Sequence, residues 1–282
     1  MRGVRRHEPM ASHLSNPWNN SVTYLQTSYG AQALGNGSGF FWAHGSQIFQ
    51  VSNWHIFSGR DPTNGQPLAD HAGIPDRVGF TAYERTSEPD ERGFYSLQVR
   101  TVVIGLYDSD LAGPRWVEHP TRGAAIDVAA INITQLVAGT QLEVRPVNEL
   151  EGDAVREPFA SQDVFIIGYP LGLVTGDPIP VWKRGTIATD PTFDPDGLPK
   201  VFVDTATRQG MSGSIVLARH IILGNYTKRD GTTASILYGR RDLILGIYSG
   251  RLSPHNVQAQ LGIVWKRHVI DETAAGNTFA HV

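Results

Sequence analysis

Ser212 stands in the stretch RQGMSGSIV, residues 208 to 216, between Gly210 and Gly213 and directly ahead of an apolar run. A hydroxyl framed in this way can act as a nucleophile. Glycine allows a tight turn and a close approach to a substrate, and the amides of the turn can face an oxygen that becomes negative. An ordinary glycine turn before a strand uses the same letters, so the decision rests on partners. Serine is a weak nucleophile at neutral pH and needs a base to take its proton and an acid to hold that base. Among the ten histidines, His7, His13, His71, His119, His255 and His281 sit in polar, turn-like surroundings. His55 differs, because it ends the apolar run QIFQVSNWHIF and is followed by Ser58, Gly59, Asp61 and Pro62. A histidine at a strand-to-loop junction can face a cleft while its backbone is held, although a core histidine beside aromatics has the same neighbours. Asp127 stands at the head of the apolar run AIDVAAINI. A lone buried carboxylate is costly unless it is paired, so a partner for Asp127 is expected, with a capping or turn role left open.

The elements that must position these residues are strands. Runs rich in Val, Ile, Phe, Tyr and Thr recur from SVTYLQTSY to LILGIYSG, separated by Gly, Pro, Asn and Asp. The 30 glycines and 17 prolines are spread along the chain rather than gathered in one linker, which suits many short strands joined by turns. Convincing helical periodicity occurs only near IVWKRHVIDETAA. About a dozen strands with one late helix predict an all-β sandwich or a pair of barrels. A pair of barrels needs a crossing near residues 138 to 160, the most polar mid-chain stretch.

The 282 residues are 40% hydrophobic, enough for one large core or two smaller ones. With no cysteine, the fold stands without disulfides, and no thiol serves as ligand or nucleophile. A net charge of −3 without a basic block or an aromatic–basic stripe argues against a nucleic-acid partner. No apolar run is long enough for a membrane helix or a signal peptide, so the expected setting is cytoplasmic, without a membrane partner. Residues 1–17 are expected to form a mobile polar tail.

His55, Asp127 and Ser212 occur in the chain order used by two-barrel β proteases and not by two other common serine-triad folds. Further segments then give a likeness to a known family. GSGFFW is similar to the family's "GTGF" strand, VSNWHIF to its "TNxHV" histidine motif, AIDVAAINI to its "DxAxL" aspartate motif and RQGMSGSIV to its "GxSGGP" serine motif. IIGYPLG followed by KRGTIA is similar to the "GYP…G" pair of the second barrel, and LILGIYSG to the strand that meets substrate backbone. Over roughly residues 20 to 272 the chain resembles the chymotrypsin-like serine peptidases, in particular their bacterial, disulfide-free members. The resemblance implies two six-stranded antiparallel β-barrels, residues 18–145 and 146–282, with the cleft between them and a C-terminal helix. It implies His55 as general base, Asp127 as its orienting carboxylate, Ser212 as nucleophile, and the amides of Gly210 and Ser212 as an oxyanion hole. It implies a serine endopeptidase that acts on a protein or peptide substrate without metal or cofactor. A catalytically silent scaffold, or a protease held inactive until a separate regulatory protein binds, is the alternative.

The same resemblance places Ala206, Thr207, Arg208 and Gln209 on one wall of the pocket for the residue before the cut, with Tyr248, Ser249, Gly250 and Arg251 along the substrate. Ala206 stands where relatives that cut after Arg or Lys carry an aspartate, so a tryptic preference is not expected. Thr207 stands where relatives that cut after Glu or Gln also place threonine, but Tyr248 stands where those relatives usually carry a histidine. Arg208 and Arg251 either favour an acidic or polar side chain or are solvated surface charges. Met211 replaces the aspartate that pairs with a newly cut N-terminus in secreted members, which implies activity without N-terminal cleavage. Ser214 and Ile215 replace the usual Gly-Pro, with little effect expected.

Overall fold

The computed structural model describes residues 10–11, 16–69, 72–108, 113–152, 156–172, 178–252 and 260–281. Most of the expected N-terminal tail lies outside these residues, as does His255. Met10–Ala11, within the segment expected to be a tail, forms a short strand against Ser96 and Leu97.

The chain folds as two antiparallel β units and a C-terminal helix, as the strand-rich pattern predicts. The second unit is a closed six-stranded barrel. Around the ring run Asp163–Gly168, Val181–Ile187, Lys200–Asp204, Leu261–Lys266, Thr233–Arg251 and Ile215–Thr227. The first unit has six strands of four or more residues: Val22–Tyr29, Gln32–His44, Gln47–Ser52, Arg77–Arg85, Ser96–Gly105 and Ala129–Asn132. Four two-residue strands join it, Met10–Ala11, Val117–Glu118, Leu142–Glu143 and Thr278–Phe279. Thr278–Phe279 pairs with Val117–Glu118, so the end of the chain returns from the second unit to the first.

Two-residue alternation explains how single strands serve two cores. In GSGFFWAH, Phe40 and Trp42 face the cluster shared by both units, while Phe41 faces the core of the first. In the strand after Ser212, Ile215 and Leu217 face the shared cluster, while Val216 and Ala218 face the core of the second barrel. Phe40, Phe41 and Trp42 have no exposed surface, and full burial contributes roughly 1.5–3 kcal/mol for each side chain of this kind. The shared cluster also takes Val269, Ile270 and Ala274 from the helix Arg267–Gly276. These residues recur at helical spacing on one face, so the helix seals the seam between the two units.

The boundaries depart from the sequence reading in three places. The helix starts at Arg267, and the first part of IVWKRHVIDETAA belongs to Leu261–Lys266, which fills the barrel between Lys200–Asp204 and Thr233–Arg251. ASILYG and LILGIYSG, read as two strands, form the single strand Thr233–Arg251. QIFQVSNWHIF is not continuous: the strand stops at Ser52, and Trp54–Ser58 forms one helical turn that ends on Gly59 in left-handed conformation, φ 66°. Among the described residues no helix is long and apolar enough to cross a membrane.

Candidate active site

The helical turn Trp54–Ser58 exists because its open amides find acceptors away from itself. The backbone N–H of His55 donates to Asp127 Oδ1 at 2.9 Å, so a carboxylate from a distant segment caps the turn. Asn53, just before the turn, donates its side-chain amide to the Asp127 carbonyl at 2.7 Å. The Trp54 indole N–H donates to Glu118 Oε2 at 2.8 Å. These three bonds fix the direction of the His55 side chain before any substrate arrives.

Asp127 is 3% exposed and follows the short 3-10 turn Gly123–Ala125, two residues before the strand Ala129–Asn132. Its burial is offset by three donors. Besides the His55 amide, these are His55 Nδ1, 2.7 Å from Oδ2, and the Ser249 hydroxyl, which donates to Oδ2. Oδ2 as acceptor places the ring proton on Nδ1 and leaves Nε2 with a free lone pair. The His55 side chain is 15% exposed. Burial of the ring favours its neutral form, but the charge and hydrogen bond of Asp127 act the other way, with a smaller push from Asp61. The net effect raises the imidazole above its ordinary 6.5.

Ser212 lies in the turn that leads into the strand Ile215–Thr227 and is locked by backbone contacts from both units. Its carbonyl accepts from Ser38 N at 2.8 Å, Gly213 N donates to the Tyr248 carbonyl at 2.8 Å, and Tyr248 N donates to the Ser214 carbonyl at 2.8 Å. Gly213 has φ +85°, and a Cβ there would collide with the Ser38 carbonyl and the Ser52 hydroxyl. Glycine is therefore required beside the hydroxyl. Ser212 and His55 line one cleft of about 300 Å³, together with Asn36, Ile56, Leu68, Pro75, Gln209 and Gly210. The Ser212 hydroxyl donates to the Ser249 carbonyl at 3.1 Å and makes no hydrogen bond to His55.

The turn before Ser212 is held by its carbonyls. Gln209 C=O accepts from Leu171 N at 2.6 Å. The buried Ser38 hydroxyl donates to Gly210 C=O at 2.9 Å and accepts from Tyr169 N at 2.9 Å. With the carbonyls engaged, the amides of Gly210 and Ser212 have no protein acceptor among the described residues. Gly210 takes φ +89°, where a Cβ would lie 2.5 Å from the Tyr169 carbonyl oxygen.

The remaining expected site residues are spread around this centre. Ala206, Arg208 and Gln209 are exposed, Gly250 and Arg251 are half-buried, and Thr207 and Tyr248 are buried with their hydroxyls hydrogen-bonded to each other. Met211 is fully buried in the second barrel's core. Three participants were missed or given another role by the sequence reading. Ser38 and Asn53 act through local bonds that no spacing announces. Ser249, expected along the substrate through its backbone, has its side chain on Asp127. Among the described residues no group of three or more His, Asp or Glu side chains gathers where it could hold a metal ion.

No family model and no curated protein sequence matches the chain. Among solved structures it is similar to the serine endoprotease from Yersinia pestis, with 13% identity and a TM-score of 0.45 over 91% of this chain. It spans 62% of that enzyme's length. It is also similar to the inactive form of the Rv3671c protease, with 14% identity and a TM-score of 0.38 over 91% of this chain and 88% of that one. A second inactive structure of Rv3671c, from M. tuberculosis H37Rv, gives 14% identity and a TM-score of 0.39 over 95% and 94% of the two chains.

Proposed function

We propose that the protein is a serine endopeptidase. The observation that carries this reading is the bonding of His55. Asp127 accepts hydrogen bonds from its Nδ1–H at 2.7 Å and from its backbone N–H at 2.9 Å, which leaves Nε2 as a base in the cleft that Ser212 also lines. Ser212 is the nucleophile. As its oxygen attacks a peptide carbonyl, His55 takes its proton, and Asp127 stabilises the imidazolium that forms. The uncommitted amides of Gly210 and Ser212 hold the developing oxyanion, an effect worth about 3–4 kcal/mol per donor. The imidazolium then returns its proton to the leaving amine, and water repeats the sequence on the acyl-enzyme. Every step uses side chains and amides of this chain. Ser249, Gly250 and Arg251 supply the edge along which substrate backbone lies. The cysteine-free chain needs no oxidising compartment to keep this fold.

A second reading is supported by the hydroxyl itself. Ser212 Oγ donates to the Ser249 carbonyl rather than to His55, as in an enzyme held at rest until substrate or a separate regulatory protein arrives. Hydrolysis of fluorescein-labelled casein by purified protein tests the first reading. Turnover that disappears in Ser212→Ala supports it, turnover that persists in Ser212→Ala refutes it, and folded protein that neither turns over casein nor is labelled at Ser212 by a fluorophosphonate favours the resting form.

A further inference from the structure

Tyr248 is unusual for a residue beside a substrate-binding edge. Its phenol is 1% exposed and is hydrogen-bonded to the Thr207 hydroxyl, and Thr207 is itself 2% exposed. The two residues come from opposite walls. Thr207 belongs to the segment that leads into Ser212, and Tyr248 belongs to Thr233–Arg251 one residue before the proposed substrate edge. The ring edge of Tyr248 also lies against Gly262, whose Cβ would collide with Cε2 of the phenol. Gly262 sits on Leu261–Lys266, directly across from Arg251. The phenol therefore crosses the space between the 207–212 segment and the paired strands 248–251 and 261–263. If the peptidase reading holds, the resemblance that puts residues 206–209 on one wall of the pocket makes that space the one for the side chain before the cut. An open pocket would expose its walls to solvent, and here both wall residues are dry.

We propose that the Tyr248 phenol, seated on Thr207 and against Gly262, closes the pocket for the side chain before the cut, so that the enzyme cleaves after glycine, alanine or serine. The proposal rests on the peptidase reading and narrows its substrate class. Two features strengthen the closure. The hydroxyl pair satisfies both polar groups without water, so moving the phenol aside would leave Thr207 unpaired in a dry site. Gly262 leaves room for the ring, since a Cβ there would lie 2.4 Å from its Cε2. Arg208 is exposed and outside this closed volume, so it gives no basis for an acidic preference.

The test is cleavage-site profiling of a proteome-derived peptide library by the wild-type protein and by Tyr248→Val, with fluorophosphonate labelling of Ser212 run in parallel. Wild type should cut after Gly, Ala or Ser at least about tenfold more efficiently than after Leu, Phe or Glu, the size of discrimination a blocked apolar pocket achieves. Tyr248→Val should move the preference toward Leu and Phe by about tenfold. Tyr248→Phe, which keeps the ring, should retain the wild-type order, and it serves if the valine variant does not fold. Labelled wild type that cuts after Leu, Phe or Glu as readily as after Ala, or that cuts nothing, overturns the closed pocket while leaving the nucleophile in place. Absence of labelling overturns the peptidase reading and the pocket with it.

Discussion

Asp127→Asn replaces one oxygen by an amide group of nearly the same size, and the bonding of Asp127 determines where that group lands. Oδ1 accepts the His55 backbone N–H at 2.9 Å, a donor that cannot reverse its role. The oxygen of asparagine must stay there, so its NH2 takes the Oδ2 position, facing His55 Nδ1, which lies 2.7 Å from that atom. An NH2 group facing Nδ1 needs an acceptor, which forces the imidazole proton onto Nε2. The ring then presents N–H to Ser212 and cannot take its proton. The Ser249 hydroxyl, which donates to Oδ2 in the native protein, can turn and accept from the new amide. The fold is therefore retained while the base is lost. The expected loss in kcat is about ten-thousand-fold at neutral pH, the size produced by a wrong imidazole tautomer, or roughly 5–6 kcal/mol on the barrier. The assay is steady-state hydrolysis of a cleaved peptide by wild type and variant, with thermal unfolding to confirm a native fold. A folded variant within about tenfold of wild type would refute the reasoning, because no orienting role for Asp127 would then remain.

Other perturbations should behave as follows. The kcat/KM profile should rise through an ionisation above the ordinary histidine value of 6.5, because Asp127 favours imidazolium more than burial opposes it. The stabilising contribution of this pair is complete below 6.5, the unfolded value, and is lost as pH rises through the raised folded value. A titration limb below 6.5, or stability gained across this interval from His55, would contradict that sign. Ser38→Ala should leave Tyr169 N and Gly210 C=O unpaired in a buried site, costing about 1–3 kcal/mol in urea unfolding and lowering kcat through a loosened Ser212 turn. Unchanged stability and turnover would remove Ser38 from the site. Deletion of residues 1–9 should leave peptide turnover within about twofold of the full chain, since buried Met211 offers no anion to a new N-terminus. A large jump in activity on deletion would contradict this.

Long apolar runs made most of the fold legible. SVTYLQTSY, GSGFFWAH, DVFIIGYP and KVFVDTAT all contain strands, because β-branched and aromatic residues at alternate positions fit a pleated surface buried on one or both faces. The turn that carries His55 was hidden by the same logic. WHIF is as apolar as the strand before it, and its helical turn depends on caps from Asp127 and on Gly59 rather than on its own letters. The two-residue strands Val117–Glu118, Leu142–Glu143 and Thr278–Phe279 are too short to show alternation and form only because neighbouring strands offer open backbone groups. That His55 meets Asp127 and shares a cleft with Ser212 was expected from the residue types acyl transfer requires and from their order. The supporting hydroxyls of Ser38 and Ser249 could not be expected in this way, since they act across 172 and 122 residues of separation. Nor could the closure of the space beside Tyr248, which depends on a ring meeting a glycine on another strand.

The central claim is that Ser212 is a nucleophile activated by His55. Mass spectrometry of the intact protein after treatment with a fluorophosphonate, followed by peptide mapping, tests it most directly. The proposed mechanism predicts one adduct, located on Ser212, absent in Ser212→Ala and strongly slowed in His55→Ala. A natively folded protein that gains no adduct, or that carries it on another residue, would contradict the claim.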